Sequence, residues 1–206
     1  MPDGKFTPCC HWRGEKFNSR EEMTQKVGDI FLRGEIPDNC SFCIPGQPSW
    51  RDSYNVYPTD YKTYKLKFLD FRNSNLCNLS CRMCNPQFSS QLAKEYKTLS
   101  WGEWPPEPRS FGFNSVVDMA TVKKIYVAGG EPSLMPEFRN FLKKAIAAGR
   151  TDIEIRMNTN ATNLNKEYRE LLKHFKNLHI VVSLDGYDQI NKYIRWPADW
   201  VSLIEN

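Results

Sequence analysis

Along the second half of the chain, short runs of nearly continuous apolar residues alternate with polar turns and with apolar stripes at helical spacing. The run Lys124–Ala128 leads into Gly129-Gly130-Glu131-Pro132. Glu137–Ala148 then sets Phe138, Phe141, Leu142, Ala145 and Ile146 on one helical face, closed by Gly149. The pattern recurs with Ile153–Met157, the turn Asn158-Thr159-Asn160, and a helix from about Lys166 that turns Leu171, Leu172 and Phe175 inward. It recurs again with His179–Leu184, the turn Asp185-Gly186, a short helical piece and Arg195-Trp196-Pro197. Upstream, Tyr64–Arg72 predicts a first buried strand, and Pro86 opens a predicted helix carrying Phe88, Leu92 and Tyr96. Strands alternating with helices predict an α/β fold with a parallel sheet. The polar turns then lie at the strand ends where β/α barrels build their active sites.

The first part of the chain reads differently. Ser19 and Glu22 form a capping-box pattern ahead of an apolar stripe at Met23, Val27, Ile30 and Phe31, and Gly34 and Pro37 end that helix. Residues 46–62 are rich in turn formers and aromatics and read as a linker, which divides the chain into residues 1–62 and 63–206. The loop that follows the helix predicted at Pro86 carries Trp101 and Trp104, which cover a core edge or line a pocket.

Composition narrows the function classes. With 206 residues, 40% of them hydrophobic and 13% aromatic, the chain has enough apolar surface for a core. The 28 Lys and Arg against 24 Asp and Glu are spread without long runs, so no nucleic-acid footprint is evident. No apolar run approaches the ~18 residues of a spanning helix and the start lacks a signal-peptide pattern, so the expectation is a cytoplasmic protein with no membrane partner. Seven cysteines in a reducing compartment point to metal ligation before disulfides.

The chemistry concentrates at Cys77-Asn-Leu-Ser-Cys81-Arg-Met-Cys84, which follows the first predicted strand. Three thiolates at C-x3-C-x2-C can hold three irons of a [4Fe-4S] cube and leave the fourth iron open. Structural zinc would want a fourth protein ligand, and no cysteine follows Cys84. On this spacing the chain resembles the radical S-adenosylmethionine (radical SAM) superfamily, in which the amino and carboxylate groups of SAM chelate the open iron. Gly129, Gly130 and Glu131 resemble the family turn that binds the methionyl ammonium, where glycines permit close backbone approach and Glu131 adds negative charge. Asn158 and Asn160 resemble its polar residues at the third strand end, and Ser183 and Asp185 those at the fourth, which hold ribose and carboxylate. Arg195 stands where relatives carry an arginine to the SAM carboxylate. Met83 takes the usually aromatic place before the last cysteine, near adenine. The resemblance implies a partial barrel with about four of the family's six β/α units, a chain that is a fragment of a longer enzyme, and an exposed edge on its fourth strand.

A second resemblance lies upstream. Gly4 and Cys9 match the G-x4-C element of SPASM and twitch auxiliary-cluster segments, and Cys40 and Cys43 match their later C-x2-C, though no cysteine precedes Gly4. Cys10 competes with Cys9 for that role, and with His11 nearby a zinc knuckle stands as the alternative. The expectation is therefore a radical SAM enzyme that cleaves SAM reductively at a [4Fe-4S] cluster, with an auxiliary iron-sulfur cluster. Its substrate would be a peptide or small molecule, and its electron donor a flavodoxin or ferredoxin. A non-catalytic zinc or iron-sulfur protein is the rival.

Overall fold

The computed structural model describes residues 5–8, 12–43, 67–72, 74–102 and 117–206, and the side chains of 41–43 lie outside that description. It divides into two compact units, Lys5–Lys65 and Leu66–Asn206.

In the larger unit, β1 (Phe68–Phe71), β3 (Lys124–Val127), β4 (Glu154–Thr159) and β5 (Leu178–Val182) form a four-stranded sheet in the order β1-β3-β4-β5. Every pair in it is parallel, with Leu69 opposite Ile125, Ile125 opposite Ile155 and Ile155 opposite Leu178. Helices α3 (Pro136–Ala147) and α4 (Lys166–Lys173) cross between the strands, as parallel connections require. Their apolar stripes meet one face of the sheet. Ile125, Val127, Ile155 and Met157 pack with Phe138, Phe141, Leu142, Ala145, Tyr168 and Leu172 in one buried cluster. Each large side chain so buried contributes about 1.5–3 kcal/mol. Asp70, Tyr126 and Arg156 share a row on the opposite face.

A two-stranded antiparallel ribbon stands beside the sheet, formed by β2 (Ser80–Cys81) and β6 (Arg195–Trp196), with Cys81 opposite Arg195. Helices α2 (Ser90–Thr98), α5 (Gln189–Ile194) and α6 (Trp200–Glu205) complete this unit. Ile180, Val181 and Val182 on β5, the last strand in the sheet order, are exposed. No helix among the described residues is long and apolar enough to cross a membrane.

Several boundaries differ from expectation. Of the predicted Tyr64–Arg72 strand, 64–66 lie outside the described residues and Phe68–Phe71 is strand. Helix α2 begins at Ser90, four residues beyond Pro86, because the Ser89 hydroxyl caps it by accepting from Leu92 N–H at 3.1 Å. Phe88 therefore lies outside the helix and is 44% exposed. Asn158 and Thr159 belong to β4 and not to a turn, because β5 extends far enough to pair with them at Val181 and Val182.

In the smaller unit, α1 (Arg20–Leu32) starts as predicted, with Ser19 Oγ accepting from Glu22 N–H at 3.0 Å. The Glu22 carboxylate reaches back as the box expects, accepting from the Ser19 N–H and also from Asn18 N–H, the latter at 2.9 Å. Val27 is buried whereas Phe31 is exposed. A bridge between Phe6 and Phe17 buries the Phe17 ring beside Trp12. Cys40 lies in a short 3-10 helix, Asp38–Cys43, and is half-buried. Gly4, Cys9, Cys10, His11, Trp104, the linker 46–62 and the Cys43 side chain lie outside the described residues.

Candidate functional site

The cysteine segment is held from three sides. From α2, the Ser90 hydroxyl accepts from Cys77 N–H and donates to Cys77 C=O, both at 3.1 Å, while Ser89 Oγ donates to Leu79 C=O at 2.6 Å. Serine suits this position because one hydroxyl can cap a helix and also serve a neighbouring loop. At the end of the segment, Arg82 N–H donates to Ile194 C=O at 2.9 Å, and the Arg82 guanidinium lies 3.9 Å from the Tyr193 ring centre. Cys84 N–H closes a turn onto Cys81 C=O at 2.9 Å.

The third side is the glycine turn. Gly130 N–H donates to Ser74 C=O at 2.9 Å, and Glu131 N–H donates to Leu76 C=O at 2.7 Å. A Cβ on Gly130 would stand 2.1 Å from Leu76 O, and one on Gly129, whose φ is +121°, would stand 2.8 Å from Ser74 O. The close backbone approach anticipated from these glycines is therefore made by residues 74–76 of the chain itself. The Glu131 carboxylate is also engaged internally. It is 1% exposed and accepts from Ser133 N–H (3.0 Å), Ser133 Oγ (2.7 Å), Thr159 Oγ1 (2.6 Å) and Asn160 N–H (2.7 Å). Its charge ties the end of β3 to the end of β4.

Cys81 is buried with Leu79 and Ala198, and Cys77 and Cys84 pack against this small apolar cluster. Burial pushes the Cys77 thiol up to about 11 and raises those of Cys81 and Cys84 too. The Arg195 cation opposes the rise at Cys81 and Cys84. Thiols so placed become thiolates when a metal supplies the positive charge. Among the described residues, no three His, Cys, Asp or Glu side chains converge on a single ion.

The polar surroundings fit a bound group as well. Asn75 Oδ1, Ser80 Oγ, Asn191 Nδ2 and Arg195 Nε are the buried side-chain polar atoms without a hydrogen-bond partner among the described residues. A buried polar atom left unsatisfied costs about 1–3 kcal/mol, and of these residues Ser80 lies within the cysteine segment, Asn75 just ahead of it and Arg195 opposite Cys81. Arg195 Nε is not left without charge compensation, since it is ion-paired with Asp185 Oδ2 at 2.5 Å. Asp185 N–H donates to Asn191 Oδ1 at 3.1 Å, so Asn191, Asp185 and Arg195 form one polar group opposite Cys81.

The remaining expected residues are distributed around this centre. Asn158 is half-buried in β4, and Ser183 N–H donates to Thr159 C=O at 2.9 Å just past β5. Met83 sits in the turn after β2 and is 57% exposed. Sequence reasoning missed Asn78, Ser89, Ser90, Thr162 and Asn191. Only Ser89, three residues ahead of Leu92 in a cap pattern, carried a local signal.

Residues 74–206 match the family model of the radical SAM superfamily. The chain belongs to the radical SAM superfamily. Superfamily members use a [4Fe-4S] cluster and SAM. Among curated proteins, the chain is 27% identical over 122 residues to the sporulation killing factor maturation protein SkfB of Bacillus subtilis (strain 168), covering 59% of this chain and 27% of SkfB. Among solved structures, it resembles SuiB of Streptococcus suis bound to the precursor peptide SuiA, with 18% identity and a TM-score of 0.44, covering 85% of this chain and 40% of SuiB. SuiB bound to S-adenosylmethionine matches with 16% identity and a TM-score of 0.42, covering 90% and 42%. The chain thus spans about a quarter of the length of SkfB and about two fifths of SuiB.

Proposed function

We propose that this chain carries the cluster- and SAM-binding part of a radical SAM enzyme that modifies a peptide. Cys77, Cys81 and Cys84 each ligate one iron of a [4Fe-4S] cluster, and SAM completes the fourth. The observation that supports this reading is the packing of Cys77, Cys81 and Cys84 on one small apolar cluster, with Arg195 opposite Cys81. When bound, the cluster and SAM supply reductive cleavage to methionine and a 5'-deoxyadenosyl radical that abstracts hydrogen. Leu79 and Ala198 keep water from the thiolates. Arg195 sets a cation beside Cys81, and Asp185 holds that guanidinium in place. Gly129, Gly130 and Glu131 shape the floor of the SAM site; Asn158, Ser183 and Met83 border it.

A peptide substrate is favoured because SkfB is named for maturation of a killing factor and SuiB is described with a precursor peptide. The electron comes from a flavodoxin or ferredoxin. In the smaller unit, Cys9, Cys40 and Cys43 bind an auxiliary iron-sulfur cluster.

Anaerobic reconstitution with iron and sulfide, then reductant and SAM, is expected to yield methionine and 5'-deoxyadenosine. Replacing Cys77, Cys81 or Cys84 by Ala is expected to abolish that yield, and turnover surviving any one change defeats the assignment. The triple variant is expected to retain iron at the upstream cysteines, and uptake of zinc alone would show a zinc knuckle instead. For the substrate, deuterium from a labelled peptide should appear in 5'-deoxyadenosine. Transfer only from a small molecule would remove the peptide.

A further inference from the structure

Within the cysteine segment, Asn78 reaches out of its own loop. Its Nδ2–H donates to Thr162 Oγ1 at 2.8 Å, and its Oδ1 accepts from Asn160 Nδ2 at 3.0 Å. Thr162 Oγ1 in turn donates to Asn160 Oδ1 at 2.8 Å, which closes a ring of three side chains. Each amide offers one acceptor and one donor to the other members, so a flip of either would set like groups against each other. Asn160, 7% exposed, is held further by its N–H on Glu131 Oε2, and Glu131 is the residue whose N–H binds Leu76 C=O just ahead of Cys77. Between Asn160 and Thr162, Ala161 has a φ of +58°, a left-handed conformation that a residue with a Cβ adopts only under constraint. Thr159 Oγ1 accepts from Ala161 N–H at 3.0 Å and contributes to that constraint.

We propose that Asn78 is a positioning residue. Through the Asn78–Thr162–Asn160 ring it locks the cysteine segment to the end of β4, so that the iron ligands and the strand ends facing SAM keep one fixed spacing. The inference rests on the reading of the site as a cluster and SAM centre. It asks nothing of Asn78 as an iron or SAM ligand. A hydrogen-bonded ring of neutral side chains suits this task because it fixes distance and orientation without adding charge beside the cluster. It also gives Asn160 a role other than ligand contact, since its side-chain oxygen and nitrogen both bond within the ring.

The test uses the reconstituted holoprotein with Asn78→Leu and Thr162→Val, which keep approximate volume and remove the ring's polar atoms. Both variants are expected to take up iron and sulfide as the parent does. Their dissociation constant for SAM is expected to rise about tenfold, the equivalent of one lost hydrogen bond. The electron paramagnetic resonance spectrum of the reduced cluster, which changes when SAM binds, should become heterogeneous in the variants. The double variant should show no more effect than either single one, because the ring acts as a unit. Should Asn78→Leu fail to fold, Thr162→Val carries the same readout from outside the cysteine segment. Parent-like SAM affinity and spectra in the variants overturn the proposal, even if their melting temperatures fall, because a merely structural role would leave the bound state unchanged. A parent protein that takes up no iron overturns the reading of the site and this inference with it. A parent that loads normally beside variants that match it overturns the inference alone.

Discussion

Helices α1 and α3 are nearly equal in length, 13 and 12 residues, yet they are held by opposite means. Helix α1 has a side-chain cap at Ser19, a carboxylate reaching back from Glu22 and a Glu22–Lys26 ion pair, but buries only Val27 and Gly28. Helix α3 begins on Pro136 with no side-chain cap and buries Phe138, Phe141, Leu142 and Ala145 against the sheet. Caps and surface pairs contribute about 1 kcal/mol or less each, whereas each buried aromatic contributes several times that. One helix is therefore secured by its own sequence and the other by what it packs on. The cysteine segment follows the second pattern, since Ser90, Glu131 and Asn160, all outside its own turns, hold it.

The sharpest way to break this comparison is Phe141→Ala. A fully buried ring replaced by a methyl should cost about 3–5 kcal/mol, read as a lower urea midpoint for the larger unit. A loss below about 1 kcal/mol would mean that α3 is not held by burial. Next is Gly130→Ala. The added methyl meets the Leu76 carbonyl, so the cysteine segment must shift at a cost of about 1–3 kcal/mol. Iron uptake should fall in parallel, and unchanged uptake would detach the glycine turn from the cysteine loop.

Ser89→Ala removes a helix cap and leaves the Leu79 carbonyl buried without that donor, which should cost about 2 kcal/mol. Hydrogen exchange should report it at α2 and at residues 77–81 together. Ser19→Ala should cost about 1 kcal/mol and increase exchange in α1 without changing α3. A spread to α3 would contradict the local character of the first helix.

The smallest effect is a pH dependence at α1. The Asn18 N–H, with Lys26 beside it, holds the Glu22 carboxyl below the usual value. A carboxyl depressed in the folded state adds stability that is fully present above its unfolded value and lost as pH falls through its lower folded value. Exchange in α1 should therefore increase on acidification below the ordinary glutamate range, and Glu22→Gln should remove that dependence.

Much of the fold was legible along the chain. The apolar runs at 124–128, 153–157 and 179–184 each became a strand of the parallel sheet within two residues at either end. The stripe at Phe138, Phe141, Leu142 and Ala145 became the buried face of α3. These elements were readable because alternation and helical spacing are local properties that survive into the packed state. The ribbon of Ser80–Cys81 with Arg195–Trp196 was not readable, since two strands of two residues each carry no periodic signal.

The expectation of a cluster site comes from the three cysteines and their spacing before any folding is considered, because iron ligation depends on residue type and on loop length. Which polar residues surround that site is a different matter. Gly130 admits the backbone of Leu76, Glu131 satisfies donors from Ser133, Thr159 and Asn160, and Asn78 closes its ring with residues more than eighty positions away. Those pairings have no period and no spacing in the sequence. They exist only because the parallel sheet carries the ends of β3 and β4 to the same edge as the cysteine segment, where each buried polar atom must find a partner.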